Sequence, residues 1–353
     1  MTTDLPNNST DVNHSPTPVY RFEFTGNASE YFGIWIVNIL LSIITLGIYS
    51  AWAKVRTNQY FYGHTSINGH SFRYLAKPMQ ILIGRIIAVI LFIAYTILTA
   101  TMPLVGSVAT LALMLISPLL IVMSLRFNLR MTSYRNVRFS FDGSFGSSFL
   151  HFVIYPLLAI LTLGLAAPLV VQQIDKFING NVRYGDREFY VETKAVVYYW
   201  IVFVTGVSAI IIFAALFAGL VPALESLGEP GPITSLAILL ATVIYYSIFI
   251  GVYSAMVRNH LYNSTSVEGL GELYSDVSII GYCWLFISNS VVTIVTLGLA
   301  YPWAKVRKAK FLARATEASI SPDIEKVIDT YEAKTSAFGE EAAGIFDVDV
   351  ALG

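Results

Sequence analysis

Apolar and polar positions alternate along this chain on two scales. On the long scale, seven apolar stretches stand out, at 31–53, 79–101, 104–125, 149–171, 195–220, 233–257 and 280–303. Each has roughly the 17–25 residues that a helix needs to cross a bilayer. On the short scale, "VYRFEFTG" (19–26), "TSINGHSFRYL" (65–75), "NVRFSFDG" (136–143) and "NVRYGDREFYVE" (181–192) alternate with period two. Turn dipeptides such as Asn68-Gly69 and Asp142-Gly143 punctuate them, which predicts strands and tight hairpins. These short elements are expected to form a small sheet on the inner face that joins the apolar segments.

Three of the apolar stretches carry the same tripeptide, Thr-Leu-Gly, at 45–47, 162–164 and 296–298. Shifting the chain by 117 residues lays "FEFTG" (22–26) on "FSFDG" (139–143) and Thr45 on Thr162 without a gap. A shift of 251 lays Tyr31 on Tyr282, Asn38 on Asn289, and "WAKVR" (52–56) on "WAKVR" (303–307). Such registers indicate duplication. The organisation read from them is an N-terminal tail (1–19), a first membrane repeat (20–138), a second (139–270), a partial third (271–315) and an acidic C-terminal tail (316–353).

Composition settles the solvent. The chain is 55% hydrophobic and 13% charged, with mean hydropathy +0.64, against about 45–50% and 25% for soluble domains. It reads as an integral membrane protein. A net charge of −1 gives no pull towards nucleic acid, and the single cysteine, Cys283, excludes a disulfide frame. The polar N-terminal tail has no basic start and no apolar run, so it is read as disordered and not as a signal peptide.

Charge placement then constrains topology. Lys and Arg cluster in the connections 54–77, 126–138 and 172–194 and after residue 303, whereas 101–106 and 219–232 hold none. Seven simple crossings would put the basic connection 172–194 outside, against the tendency of basic loops to stay in the cytoplasm. The conflict disappears if the Thr-Leu-Gly segments enter and leave on the cytoplasmic side, with 79–101/104–125 and 195–220/233–257 as the true transmembrane hairpins. Both termini are then cytoplasmic. Splitting 31–53 at the tripeptide gives legs of about ten residues, roughly 15 Å each. Thr45, Gly47, Thr162, Gly164, Thr296 and Gly298 are thus candidate turn or packing residues. In the competing reading each segment crosses, and its glycine is a notch for a neighbouring helix.

Candidate chemistry is sparse. The five histidines (His14, His64, His70, His151, His260) are scattered, and no phosphate loop, nucleophile elbow or acidic metal cluster appears, so no catalytic, cofactor or metal residue is assigned. Polar groups inside apolar stretches are costly and therefore informative. Asn38 and Asn289 occupy one repeat position and are expected to pair or to line a polar path. Arg85 is expected to reach back to the cytoplasmic surface. Trp52, Lys54, Arg56, Trp303, Lys305 and Arg307 mix aromatic and basic character at the exits, which suits anionic lipid headgroups. Ile324, Val327, Ile328 and Tyr331 have helical spacing, and the acidic-apolar ending 339–353 is a candidate docking segment.

The run "YFGIWIVNILLSIITLGIYSAWAKVRTNQYFYGHTSINGHSFRY" (31–74), the later "TLGLAYPWAKVR" (296–307) and the acidic-apolar ending resemble the YjgN-like family of bacterial inner-membrane proteins. The middle copy departs from the pattern, reading "PLVVQQ" where the others exit on Trp-Ala-Lys-Val-Arg. The resemblance implies a bacterial inner-membrane address. The family is a domain of unknown function, so no activity follows. The fold expected is an all-α polytopic membrane protein with internal repeats and small cytoplasmic β elements. The function expected is that of a non-enzymatic transporter or channel-like protein, because repeats with broken segments build transport sites. The alternative is a scaffold or lipid-interacting protein that docks a cytoplasmic partner. The bilayer itself is the expected partner.

Overall fold

A computed structural model describes residues 17–226, 231–331 and 333. The chain starts with two short strands, β1 (Val19–Arg21) and β2 (Glu23–Phe24), and then repeats one pattern: a helical hairpin followed by a β-hairpin. The first unit is α1 (Ala28–Ile44) and α2 (Ser50–Gly63) with β3 (Thr65–Ile67) and β4 (His70–Tyr74). The second is α3 (Pro78–Thr101) and α4 (Pro103–Arg130) with β5 (Thr132–Tyr134) and β6 (Val137–Phe141). In the third, α5 (Phe145–Phe149), a π-helical turn (Leu150–Ile154) and α6 (Tyr155–Leu161) form one leg. Helix α7 (Ala167–Gly180) forms the other leg, with β7 (Val182–Tyr184) and β8 (Arg187–Val191) following. The fourth has α8 (Ala195–Ser226), α9 (Pro232–Tyr262), β9 (Thr265–Val267) and β10 (Gly271–Ser275). The fifth has α10 (Ile279–Val295), α11 (Tyr301–Arg314) and a single strand, β11 (Thr316–Ser319).

All eleven strands belong to one antiparallel sheet, in the order β1-β11-β10-β9-β8-β7-β6-β5-β4-β3-β2. The two edges, β1 and β2, are consecutive pieces of one segment. β1 pairs with β11, β2 pairs with β3, and between them the Phe22 N–H donates to Thr316 O at 2.9 Å. The N-terminal segment therefore brings the sheet nearly closed on itself, leaving only the short unpaired sides of β1 and β2 as edges. The chain is not all-α, and this corrects the expectation from sequence. The strands are only two to five residues long and far apart in sequence, so each looks like a local hairpin. Only the edge-to-edge register between units (Phe72↔Tyr134, Phe139↔Tyr184, Phe189↔Val267, Leu273↔Ala318) makes one ring of them.

The turns explain the tight hairpins. Asn68 and Gly69 have φ of 49° and 74°, and Arg135 and Asn136 have 47° and 66°, the double positive φ of a two-residue type I′ connection. Alternation points one side chain in two into the ring. Phe22, Phe72, Phe139, Phe189 and Leu273 pack there around the buried Ile67, Tyr134, Val137, Tyr184 and Leu270. The Tyr134 hydroxyl donates to Ile67 O at 3.0 Å, and that of Tyr184 to Tyr134 O at 3.1 Å. Burial pushes the Tyr134 phenol up to about 12, as expected of a dry interior.

Each helical hairpin joins the strands at its open end, so all five stand on the same end of the ring. The β-hairpin loops lie at the other end, where a helical turn at 324–331 caps the ring. Ile324, Val327 and Ile328 are buried against it, and the Arg135 guanidinium donates to both Glu325 carboxylate oxygens at 2.8 and 2.7 Å. The 339–353 ending and residues 1–16 of the N-terminal tail lie outside the described residues.

Among the described residues, four helices, α3, α4, α8 and α9, are long and apolar enough to cross a membrane, and no more than 17% of the most apolar stretch of each is buried within the protein. The two long hairpins are held apart by the short ones. Helix α9 packs most extensively on α8 and α10, and Gly251 makes the second of those contacts possible. A Cβ there would lie 2.8 Å from Cys283 Sγ and 2.9 Å from its Cα.

Candidate membrane-contact site

The three Thr-Leu-Gly tripeptides build one structure three times, at the tips of the short hairpins. Each is a helix stop of the Schellman kind. The glycine N–H reaches back five residues, from Gly47 to Ser42 O, Gly164 to Ala159 O and Gly298 to Thr293 O, at 2.7 Å each time. The threonine hydroxyl links both legs. Thr45 Oγ1 donates to Leu41 O (2.7 Å) and accepts from the Tyr49 N–H (2.9 Å). Thr162 does the same with Leu158 and Ala166, and Thr296 with Val292 and Ala300. Gly47, Gly164 and Gly298 have φ of 91°, 87° and 90°, and a Cβ on any of them would meet nothing within 4 Å. These glycines are turn residues and not packing notches.

The residue between them was not singled out from sequence, though its recurrence at one position was the available signal. Leu46, Leu163 and Leu297 have φ of 50°, 52° and 50°, in the left-handed region that costs an L-residue roughly 1–2 kcal/mol. Their side chains are 95%, 93% and 93% exposed. Ile43, Ile44 and Ile48 around the first tip, Leu161 and Leu165 around the second, and Val295 and Leu299 around the third are exposed as well. In water this would be three strained, greasy points.

The legs carry the predicted basic and aromatic residues. The legs are longer than the ten residues expected: α1 has 17 residues and α2 has 14, about 25 and 21 Å. Helix α2 continues through the polar run 54–59, and α1 begins at the Asn27 cap, whose side chain accepts from Ser29 N–H. Lys54 and Lys305 sit four residues beyond the first residues of α2 and α11, Ser50 and Tyr301, or about 6 Å along each axis. Trp52 stacks on Tyr49 at 6.1 Å, and the Arg56 guanidinium donates to Tyr49 OH at 3.2 Å. The Arg307 guanidinium lies 5.1 Å from the Trp303 ring centroid, and Lys305 Nζ lies 4.6 Å from that of Phe61. Arg85 does not reach back freely to the surface: its guanidinium donates to Ser50 Oγ beside the first tip.

The two asparagines are not brought together. Asn289 Nδ2 donates to Ala304 O at 3.2 Å, and its Oδ1 accepts from Arg307 at 3.0 Å, so it ties its own hairpin. Asn38 is 5% exposed, and neither amide atom has a hydrogen-bond partner among the described residues. Among the described residues no three His, Cys, Asp or Glu side chains come together as metal ligands would.

Comparison with known proteins agrees with the membrane character. Inner membrane protein YjgN of Escherichia coli O157:H7 is 37% identical to the chain over 134 residues, 38% of this chain and 34% of that protein. The protein of the same name from strain K12 aligns to the same extent. In these alignments the chain spans about a third of the relatives' length, 34% in each. Inner membrane protein YjgN of Salmonella typhimurium is 26% identical over 359 aligned positions, 88% of this chain and 90% of that protein. No solved structure matches the chain. A family profile matches residues 19–345, and the chain belongs to that family, DUF898, described as bacterial proteins of unknown function.

Proposed function

We propose that this is a multi-pass protein of the bacterial inner membrane that acts on lipid, with two long hairpins as anchors and three short ones as wedges in the cytoplasmic leaflet. One observation carries the reading: a leucine is held in left-handed conformation at all three tips, with its side chain exposed. A glycine there would relieve about 1–2 kcal/mol of strain. Burial of a leucine in lipid contributes about 1.5–3 kcal/mol, which offsets the strain only if the tip is in the membrane. With lysines about 6 Å along α2 and α11 and stems able to snorkel, the tips reach the depth of about one leaflet of a ~30 Å core. Arg73, Lys77, Arg130, Arg135, Arg138, Arg183, Arg187 and Lys194 lie at the sheet end of the hairpins, which supports a cytoplasmic sheet and termini.

The transporter reading is less well supported. A conduit needs a polar path through a packed bundle, whereas α3/α4 and α8/α9 stand apart with faces turned outward, and Asn289 is tied within its own hairpin. The test is acyl-chain order in vesicles, followed by depth-resolved spin-labelled lipid, with wild type and a variant carrying Asp at positions 46, 163 and 297. The wild type is expected to lower order in the sheet-side leaflet, and the variant to leave it near that of empty vesicles. Equal order in both preparations would sink the proposal.

A further inference from the structure

Asn38, whose buried amide has no hydrogen-bond partner among the described residues, lines a groove of about 560 Å³ between α1, α2 and α11. A buried amide without a partner costs about 1–3 kcal/mol, so its persistence needs a reason. The fifth hairpin supplies a control. Asn289 holds the same repeat position, and its bonds go to Ala304 and Arg307. The equivalents in the first hairpin are Ala53 and Arg56, displaced by 251 residues. There Arg56 turns away to Tyr49 and Asn38 is left facing the groove. One motif is satisfied internally in one copy and open in the other.

The rest of the lining has the order of an amphiphile. At the level of Asn38 stand Lys54, Thr57 and Lys305. Neither lysine forms an ion pair with a carboxylate among the described residues. Lys305 is faced instead by the Phe61 ring and by Tyr31 OH at 3.4 Å. Ile39 is the next residue of α1, and about one turn nearer the tip the wall becomes Ser42 and Ile43. Two cations and an amide donor match a phosphate, and the apolar wall beyond them matches an acyl chain.

We infer that the groove between the first and fifth hairpins binds an anionic glycerophospholipid, its phosphate on Lys54, Lys305 and Asn38 and an acyl chain along Ile39 and Ile43. The site goes beyond the wedge reading and rests on it only for its depth in the membrane.

The test uses the full chain purified in detergent. Melting is followed with added short-chain phosphatidylglycerol, phosphatidylcholine or inorganic phosphate at equal concentration, and retained lipid is counted by native mass spectrometry. Phosphatidylglycerol is expected to raise Tm and be retained, and the other two to leave Tm unchanged. Asn38→Leu and Lys305→Gln are each expected to weaken phosphatidylglycerol at least about tenfold, equivalent to about 1.4 kcal/mol. Without lipid, Asn38→Leu should melt at or above the wild-type temperature, because it removes an unpaired amide. Asn289→Leu should melt lower and keep the lipid shift. An Asn38→Leu protein that melts lower without lipid and keeps the full lipid shift would overturn the inference, as would a Tm rise equal for phosphatidylcholine or for phosphate alone. Depth quenching of a probe at position 46 separates the two ideas. A lipid-embedded tip with no phosphatidylglycerol effect defeats the site alone, whereas a water-exposed tip defeats both.

Discussion

Replacing Gly47, Gly164 and Gly298, singly and together, by Ala and by Val separates a turn from a helix-packing notch. At all three the backbone φ is near 90° and a new Cβ would meet nothing within 4 Å. The cost is then purely conformational, about 1–2 kcal/mol per site for an L-residue in this region, and slightly more for β-branched Val. The tips are on separate hairpins, so the costs should add, to about 3–6 kcal/mol for the triple variant. That is a large part of the 5–15 kcal/mol typical of a folded domain. Folded yield and melting are read by fluorescence-detected gel filtration after detergent extraction. Single variants should melt a few degrees lower, the triple variant should yield little folded protein, and Ala and Val should rank close together. Unchanged melting for all singles would refute the turn argument. A Val effect several times that of Ala would mean that packing, not φ, selects glycine.

Asn289→Leu should destabilise by about 1 kcal/mol, the scale of intramembrane hydrogen bonds, and a double-mutant cycle with Asn38→Leu should show no coupling because the two amides do not meet. Gly251→Val forces α9 off α10 against the backbone of Cys283. A cost of about 1–3 kcal/mol is expected, unrelieved by Cys283→Ala because Cα is also in the way; a melt equal to wild type would contradict the contact. Acid should release the 324–331 cap. The Arg135 guanidinium holds the Glu325 carboxyl below its usual value of 4.5. A depressed pKa gives stability that is present above the unfolded value and lost as pH falls through the folded one. Hydrogen exchange at 324–331 should therefore rise as pH falls below 4.5 and through the lowered carboxyl's titration, and Glu325→Gln should show that faster exchange already at pH 7.

The long helices were legible because eighteen or more apolar residues leave few alternatives, and the tripeptide turns because three copies share one register. The ring was not legible. Its hairpins at 65–74, 136–141 and 182–191 carry turn dipeptides or aromatic alternation. The hairpin at 265–275, "TSVEGLGELYS", has two glycines about its turn, at 269 and 271, which blur the strand pattern, and "TEAS" (316–319) continues a basic helix without a break in pattern. Closure depends on β1 reaching a partner nearly the whole chain away, Arg21 opposite Glu317, which no local period encodes. The positions of Asn38 and Asn289 were visible as a repeat, but their opposite fates depend on which way Arg56 and Arg307 turn.

The central claim is that the short hairpins return to the side they came from while the long ones cross. In a Cys283→Ser background, single cysteines at Asp186, in the loop between β7 and β8, and at Leu104, beside the tip between α3 and α4, are probed on spheroplasts with a membrane-impermeant thiol reagent. The account predicts labelling at 104, and protection at 186 until the membrane is opened. Labelling of 186 on intact spheroplasts would place the third hairpin's exit outside and contradict it.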